Sequence, residues 1–424
     1  MVTYIPRVVD VELDQLLIGV PAIALEGPKG VGKTATALKR AQTVHRLDDS
    51  DQRSVLAAGP ARLVLGVGPI LVDEWQRLPE SWGLVRRAVD EDRTPGRFLL
   101  TGSASPANPQ THSGAGRIVT IRMRPLSLSE RQLESPTVSL GSLLKGTRPD
   151  VGGATTVGLE DYAREIAASG FPGLHGVRGR ALRAQLDGYL ARIVDRDFGE
   201  TGREVRNPAV LQRWMRAYAA ATSTVASYER IRDAATGGEG DKPAKTTTIP
   251  YRDVLERLWI LEPLPAWLPT RNHILRLAAR PKHHLADPAL AVRLLGTDVS
   301  ALLEGKSPGP AVVRDGPLLG ALFESLVTQS VRVYAQASEA RVQHLRTRAG
   351  EHEVDLIVER DDQRVLAIEV KLTRTVRDQD VRHLLWLRDQ IGDDLLDSVV
   401  VSTGGEAYRR KDGVAVVPAA LLGP

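Results

Sequence analysis

Residues 27–34 read GPKGVGKT, and this stretch decides how the first third of the chain folds. The apolar run PAIALE precedes it, and the helix-favouring run ATALKRAQTVHR follows it. A glycine-rich turn between a strand and a helix lets successive backbone N–H groups face a phosphate at the helix N-terminus. The spacing GxxxxGK[ST] therefore predicts a phosphate-binding loop. Its members are Gly27, Pro28, Lys29, Gly30, Val31, Gly32, Lys33 and Thr34.

Two side chains of this loop have predicted chemical roles toward ATP. Lys33 would reach the β- and γ-phosphates, and the Thr34 hydroxyl would bind Mg²⁺. The alternative is a glycine-rich turn with a solvated lysine. Only ten of the 56 lysine and arginine residues are lysines. The pattern should therefore arise by chance in roughly one chain of this length in a hundred.

Two later strand ends complete a predicted ATP-hydrolysing site. The run PILVDEW ends an apolar strand in Asp73 and Glu74. Asp73 would hold Mg²⁺, and Glu74 would accept a proton from the attacking water. The run RFLLTGSAS ends in Thr101, Gly102 and Ser103, small groups able to sense the γ-phosphate. Each is an ordinary strand end on its own, but their order and spacing after the loop fit an ATPase of the AAA kind.

A catalytic arginine is harder to assign. Arg117 lies just beyond the third strand and would contact a nucleotide, in its own subunit or in the neighbouring subunit of a homo-oligomer. Arg122 and Arg124 are competing candidates, and a plain surface role is open for each of the three.

The stretch HEVDLIVERDDQRVLAIEVK, residues 352–371, contains two strand-like runs joined by a polar turn. Residues two apart share one face of a strand, so Glu369 and Lys371 point the same way. Asp355 on the preceding strand can lie beside Glu369, and two carboxylates there would suit Mg²⁺. Glu324, on the predicted helix GPLLGALFESLV, is a third acid able to complete the cluster.

This pattern supports two interpretations. In one, Glu324, Asp355 and Glu369 are metal ligands, while Lys371 orients a water and stabilises charge on a phosphate, so that Asp355, Glu369 and Lys371 are catalytic. In the other, the same groups form an ordinary Lys–Glu–Asp pairing on a half-exposed hairpin.

Apolar periodicity divides the chain into three predicted parts. Residues 1–138 alternate short strands with helices, which is typical of a parallel sheet with helices packed on it. Residues 159–295 repeat apolar positions every three or four residues, as helices do. Residues 311–424 combine helices with paired strands, so the expected fold class is α/β. Linkers or long loops, rich in Gly, Ser, Thr and Pro, are predicted at 105–116, 139–158 and 235–248.

Composition narrows the classes of function. The chain of 424 residues has no cysteine, which excludes disulfides, thiol catalysis and cysteine-ligated zinc. Its start lacks the apolar core of a signal peptide, and no window approaches the ~18 apolar residues of a membrane helix. A cytoplasmic protein with no membrane partner is expected. The formal charge of +4 is carried mainly by arginine, which permits a nucleic-acid ligand, although solvated surface arginines would explain it equally.

Taken in order, these motifs resemble a family of bacterial and archaeal ATPases. Its members join an N-terminal AAA domain to a C-terminal domain of unknown function with a PD-(D/E)XK nuclease-like core. The resemblance covers nearly the whole chain. It implies a P-loop AAA-type ATPase domain at 1–138, a helical winged-helix-like middle at 159–295 and a PD-(D/E)XK nuclease-like α/β domain at 311–424. The stretches that carry it include GPKGVGKT, ILVDEWQRLPE, RFLLTGSAS, ASGFPGL, PKHHLADPALAVRLLG, GPLLGALFESLV and AIEVKLTRTV.

The resemblance also assigns residues. The family's ATPase positions correspond to Lys33, Thr34, Asp73 and Glu74. Its nuclease-like positions correspond to Glu324, Asp355, Glu369 and Lys371, with Arg346 and Glu353 in the surrounding pattern. One departure is Lys29, where the family usually has arginine, so the charge is kept.

Two hypotheses for the whole chain follow. In the first, the protein binds and hydrolyses ATP with Mg²⁺, is directed to double-stranded DNA and has a metal-dependent nuclease-like C-terminal domain. In the second, ATP drives a molecular switch whose C-terminal domain is a non-catalytic protein- or DNA-interaction module. The middle would read DNA if STVASYERIRDAA and TTTIPYRDVLERLWILEPLPAW form two helices and a wing. The alternative is that Trp259, Ile260, Leu261 and Trp267 are ordinary core residues.

Overall fold

A computed structural model describes most of the chain. The described residues are 4–103, 114–200, 205, 207–237, 242–270, 273–304, 316–347 and 350–424. Most of the predicted linker at 105–116 lies outside them, and so do residues 238–241 of the one at 235–248.

The N-terminal part is a five-stranded parallel sheet with the strand order β2-β3-β4-β1-β5. Its three central strands are almost entirely buried, as expected for a parallel sheet with helices on both faces. This arrangement confirms the α/β prediction for the first domain. The strands are β1 (Ala22–Glu26), β2 (Thr43–Arg46), β3 (Ile70–Asp73), β4 (Phe98–Gly102) and β5 (Ile118–Arg122). The helices are α1 (Val9–Gly19), α2 (Lys33–Leu38), α3 (Ser50–Ala58) and α4 (Glu80–Glu91).

The middle part is mainly helical and has an aromatic core. Trp214 and Tyr218 are buried side by side, and the ring of Tyr162 packs edge-on against Phe323 of the following part. Ile260, Leu261 and Trp267 are also buried, which agrees with their interpretation as core residues, whereas Trp259 is only partly buried. Its elements begin with β6 (Val138–Ser139), α5 (Leu140–Leu143), α6 (Leu159–Ala168), α7 (Gly179–Arg192) and α8 (Phe198–Glu200), with a π-helical turn at Ile193–Asp197 between the last two. They continue with α9 (Pro208–Ala220), α10 (Tyr228–Ala234), α11 (Lys245–Arg257), β7 (Ala266–Trp267), α12 (His273–Ala278), α13 (Pro288–Leu295) and α14 (Val299–Glu304).

The C-terminal part is a mixed sheet of seven strands in the order β12-β13-β11-β10-β9-β8-β7. The two predicted strands of the acidic stretch form an antiparallel pair, and β7 is contributed by the middle part. The mixed α/β character is as expected, while the likeness to a PD-(D/E)XK nuclease core stays a prediction. The elements are α15 (Gly316–Ala337), β8 (Arg341–Arg346), β9 (Glu353–Glu359), β10 (Val365–Lys371), α16 (Asp378–Ile391), β11 (Leu395–Ser402), β12 (Tyr408–Arg409), β13 (Ala415–Pro418) and β14 (Leu422–Gly423).

The last strand returns to the first strand of the middle part. β14 pairs in parallel with β6. The backbone N–H of Ala420 donates to the Tyr162 hydroxyl at 2.9 Å. The C-terminal and middle parts are therefore joined by contacts as well as by the chain. Within the described ranges, every helix is too short or too polar to cross a membrane.

Candidate nucleotide site and C-terminal acidic cluster

The predicted phosphate loop connects β1 to α2 and needs glycine at two positions. Gly27 has φ of 153°, and a Cβ there would lie only 2.3 Å from the Met123 carbonyl oxygen. Gly32 precedes α2 with φ of 102°, a left-handed conformation that side chains disfavour. The close approach of the chain after β5 and the sharp entry into the helix therefore account for these glycines.

Lys33 is folded back against its own loop. Its ammonium donates to the carbonyl oxygens of Gly27 at 2.7 Å and of Pro28 at 2.9 Å. Burial lowers the pKa of Lys33 to about 8, although the neighbouring Glu74 carboxylate favours the charged form. An anion bound in the loop would stabilise this buried ammonium, so the residue fits its predicted role.

The predicted Mg²⁺ ligand Thr34 and the predicted sensor Thr101 both contact the carboxylate of Asp73, which is the other predicted Mg²⁺ ligand. The Thr34 hydroxyl donates to Asp73 Oδ1 at 2.7 Å, and the Thr101 hydroxyl donates to the same oxygen. The Thr101 oxygen in turn accepts from the Glu74 backbone N–H at 3.2 Å. These residues converge because β1, β3 and β4 are parallel and end at the same edge, and because α2, which carries Thr34, begins after the loop that follows β1. A hydroxyl and a carboxylate are hard oxygen donors, so Thr34 and Asp73 fit Mg²⁺.

Glu74 is held by a residue that the sequence did not point to. Its backbone is left-handed, with φ of 55°, and its carboxylate accepts a hydrogen bond from the side-chain amide of Gln76. Burial raises the pKa of Glu74, while Lys33 and Gln76 act in the opposite direction. A raised pKa suits a general base, because it increases the affinity of the carboxylate for a proton.

A cavity of about 620 Å³ opens over the loop, large enough for a nucleotide. Lys33, Thr34 and Glu74 are among the residues that line it. The lining also includes residues that the sequence analysis left without a role, among them Tyr4, Ile5, Leu38, Lys39 and Pro172. Of these, Pro172 lies in the stretch ASGFPGL, which carries part of the resemblance.

The three candidate arginines have partners of other kinds. Arg117 Nε donates to Asp90 on α4 at 2.8 Å, and Arg117 does not line the cavity. Arg122 stacks on the Trp259 ring at 3.6 Å, and Arg124 Nε donates to Glu262 at 2.8 Å. A nucleotide contact by Arg117 stays a prediction, and in this arrangement it would have to reach another subunit.

Lys29 links the phosphate loop to the helical middle. Its ammonium lies 2.6 Å from Asp197 Oδ1 and 2.7 Å from Glu200 Oε2. Glu200 also pairs with Arg77, which follows Glu74 in the chain, at 3.2 Å. The carboxylates of the π-helical turn and α8 therefore contact both the phosphate loop and the segment after β3.

The C-terminal acids surround an amine that we did not predict. Lys282 Nζ lies 2.8 Å from Glu324 Oε1, 3.1 Å from Asp355 Oδ1 and 3.2 Å from Glu353 Oε1. Lys282 is only 1% exposed. It was visible in the sequence only as one of the ten lysines, beside the adjacent histidines of PKHH.

Glu369 has a different partner from the other two predicted acids. One of its oxygens accepts from Lys371 Nζ at 2.6 Å, and the other, Oε2, is buried with no hydrogen-bond partner in the described structure. Asp355 Oδ2 accepts the Val370 backbone N–H at 2.9 Å. Burial and the charge of Asp355 raise the pKa of Glu369 to about 8.

These contacts bear on the predicted metal site. Glu324 and Asp355 do meet, but the cation between them is the ammonium of Lys282, and Glu369 is turned to Lys371. Across the described ranges, no three acidic or histidine side chains are grouped so that they could hold a metal ion. The metal role of Glu324, Asp355 and Glu369 therefore has no support from this arrangement.

Three family models match consecutive segments of the chain. Residues 20–132 match an AAA domain, residues 159–301 match a domain of unknown function (DUF8612), and residues 319–422 match another (DUF4143). With the geometry above, the first match identifies an AAA-type domain of the kind found in P-loop ATPases.

Two relatives match nearly the whole chain. An uncharacterized protein of Mycobacterium bovis and one of Mycobacterium tuberculosis are each 27% identical over 407 residues, which is 94% of this chain and 80% of theirs. Among solved structures, the Walker-type ATPase PABY2304 of Pyrococcus abyssi is 17% identical with a TM-score of 0.38, covering 67% of this chain and 94% of that one.

Proposed function

We propose that this protein binds ATP with Mg²⁺ at residues 27–34, hydrolyses it, and uses the change in nucleotide state to reposition its helical middle. The observation that carries the proposal is that Thr34, which lines one cavity together with Lys33 and Glu74, shares the Asp73 carboxylate with Thr101. Phosphate binding, metal binding and base catalysis are thus supplied by neighbouring side chains.

Each side chain has a separate task in hydrolysis. Lys33 exchanges its two carbonyl partners for phosphate oxygens and stabilises the charge that develops on them. Glu74 accepts the proton of the attacking water. Thr34 and Asp73 hold Mg²⁺, which when bound neutralises charge on the β- and γ-phosphate oxygens. Thr101 fixes the Asp73 carboxylate and, through the Glu74 backbone, the position of the base.

The test compares Lys33→Ala and Glu74→Gln with Lys145→Ala, a change at an exposed lysine outside the cavity. Lys33→Ala should lose both ATP binding and turnover. Glu74→Gln should keep binding and lose turnover by ~10²–10⁴-fold, the usual contribution of a general base. Mg²⁺-dependent phosphate release and ATP titration measure the two effects. Turnover of Glu74→Gln within threefold of the wild type would remove Glu74 from the proposal.

The ion pairs of Lys29 support the coupling of nucleotide state to the middle part. A phosphate anion in the loop competes with Asp197 and Glu200 for the Lys29 ammonium. Because phosphate binding and carboxylate pairing are alternatives for this cation, ATP favours release of the π-helical turn and α8. Loss of phosphate after hydrolysis restores the pairs.

For the C-terminal domain, one observation favours the second of our two hypotheses, that of a non-catalytic interaction module. The acids predicted to bind metal are paired with Lys282 and Lys371 instead. The first hypothesis, a DNA-directed, metal-dependent nuclease, stays a prediction and has a direct test. Wild-type protein and Asp355→Ala are incubated with plasmid DNA, ATP and Mg²⁺ or Mn²⁺. Nicking of the plasmid by the wild type that is lost in Asp355→Ala would establish the nuclease and overturn the proposal of a non-catalytic module.

A further inference from the structure

Lys282 occupies the position that a metal ion would take among the C-terminal carboxylates. We infer that its ammonium is a built-in cation that closes this cluster to divalent metals, and that removing the amine opens a Mn²⁺ or Mg²⁺ site on Glu324, Glu353 and Asp355. This inference deepens the proposal of a non-catalytic module, and it is independent of ATP hydrolysis.

The amine is fixed in place by its backbone. The Lys282 N–H donates to the Leu264 carbonyl at 2.9 Å, and the Leu264 N–H donates back to Lys282 at 2.7 Å. Lys282 therefore belongs to a short antiparallel bridge, and its side chain enters the cluster with 1% exposure. A buried ammonium is stable only when it is compensated by charge and hydrogen bonds, and here three carboxylates supply both.

The charge balance opposes entry of a second cation. Although burial disfavours the ammonium, Asp355, Glu324 and Glu353 raise the pKa of Lys282 above its ordinary value, so it stays charged. Lys282 and Lys371 hold the pKa of Asp355 low despite burial. A metal ion would therefore have to approach a fixed ammonium at the point where the carboxylates meet.

Removing the amine reverses this balance. Glu324 and Asp355 would then be close carboxylates without a shared cation, and such pairs repel one another when ionised. Glu353, whose Oε1 lies 3.2 Å from the Lys282 ammonium, would be the third carboxylate at this point. Several carboxylate oxygens around one vacated point are the ligands that Mg²⁺ and Mn²⁺ prefer.

The cation and its acids come from different parts of the chain. Lys282 lies in the segment that matches DUF8612, whereas Glu324, Glu353 and Asp355 lie in the segment that matches DUF4143. The ammonium therefore also holds the helical middle against the C-terminal sheet.

The test measures Mn²⁺ binding to the full chain without nucleotide, by electron paramagnetic resonance and calorimetry. A Thr34→Ala background removes one of the two predicted metal ligands of the nucleotide site. In that background, Lys282→Met should bind one more Mn²⁺ per chain than the Thr34→Ala parent. Its affinity for Mn²⁺ should be at least tenfold higher than that of the parent. Adding Asp355→Asn should abolish the gain, and Lys282→Arg, which keeps a cation, should show none.

Two results would overturn the inference. The first is that the Thr34→Ala parent, with Lys282 intact, binds Mn²⁺ and that adding Asp355→Asn abolishes this binding. This comparison does not require Lys282→Met to fold. The second is a folded Lys282→Met protein, shown by circular dichroism and a cooperative melting transition, that binds no additional Mn²⁺. In Lys282→Ala, n-butylammonium should compete with Mn²⁺ by replacing the missing amine. None of these measurements depends on ATPase activity, so this inference and the ATPase proposal can fail independently of each other.

Discussion

Lys29 of the phosphate loop and Asp197 of the helical middle, 168 positions apart, form an ion pair with 2.6 Å between Nζ and Oδ1. Glu200 shares the same ammonium. This relationship couples a loop that would hold phosphate to a helix that continues through a π-helical turn, a feature common at functional sites.

We expect the double variant Asp197→Asn/Glu200→Gln to bind ATP more tightly, because Lys29 no longer has to leave its carboxylates. Partly exposed pairs of this kind contribute ~0.2–1 kcal/mol each, so the affinity gain for two pairs lies between about twofold and thirtyfold. Hydrogen exchange of residues 193–200 should rise on ATP binding in the wild type and be raised already in the variant. Asp195→Asn, at an exposed position of the same turn, is the matched control. Equal affinity in all three proteins would exclude the coupling.

The protonation of Lys33 should appear in the pH dependence of ATP binding. Burial lowers its pKa to about 8 from 10.5, so the free protein loses this charge above pH 8. Phosphate favours the charged form, so binding above pH 8 takes up a proton, and affinity should fall by up to ~tenfold per pH unit. Lys33→Arg, which stays charged, should show no such slope. Titration with ATP in EDTA separates this effect from metal binding, and equal slopes in both proteins would contradict it.

Gln76 should act as a positioning residue for Glu74. Its amide donates to the Glu74 carboxylate and favours the ionised form. Without it the pKa of Glu74 should rise further, because hydrogen bonds to charged groups contribute ~1.5–3 kcal/mol, or roughly one to two pH units. In Gln76→Ala, the acidic limb of the kcat profile should therefore move to higher pH while KM changes little. An unshifted limb would leave Gln76 with a structural role only. Gln52→Ala, on α3, serves as the control.

Glu262 lies where the three parts of the chain meet. Arg124 donates to its carboxylate at 2.8 Å, while Arg332 and Arg122 lie at 3.6 and 3.7 Å. Burial would raise the pKa of Glu262, but these arginines, Arg124 foremost, lower it below the ordinary value. Removing the charge leaves buried guanidinium groups uncompensated, so Glu262→Gln should lose ~3–5 kcal/mol of stability.

The pH dependence of this contribution has a defined sign. Because the folded pKa of Glu262 is depressed, its contribution is fully present above the ordinary carboxyl value of 4.5 and is lost as pH falls below it. Wild-type protein should therefore lose stability on acidification more steeply than Glu262→Gln. Urea denaturation at neutral and acidic pH measures both effects, with the more exposed Glu256→Gln as control. A loss below 1 kcal/mol at neutral pH would contradict the prediction.

The proximity of Asp73 and Thr101 could be predicted because local rules place each of them. Asp73 and Thr101 each lie at the end of their own apolar strand, and parallel strands end at one edge of a sheet. The antiparallel pairing around Asp355 followed from a polar turn between two apolar runs.

Lys282 and Gln76 could not be predicted in this way. The three partners of Lys282 are between 42 and 73 positions away, so its role depends on which elements meet in the fold. The direction of the Glu369 side chain was also beyond the pattern. Two residues that share a strand face are as able to pair with each other as to bind a common ion.

The pairing of β14 with β6 has a practical consequence for dissection of the protein. A fragment beginning at residue 316 would keep Leu421 and Leu422 but lack the strand that covers them, and both are buried in the intact chain. Such a fragment would present a bare apolar seam and an unpaired strand edge, which favour aggregation. If the three parts were expressed separately, aggregation through this apolar edge would therefore be observed before any activity could be measured.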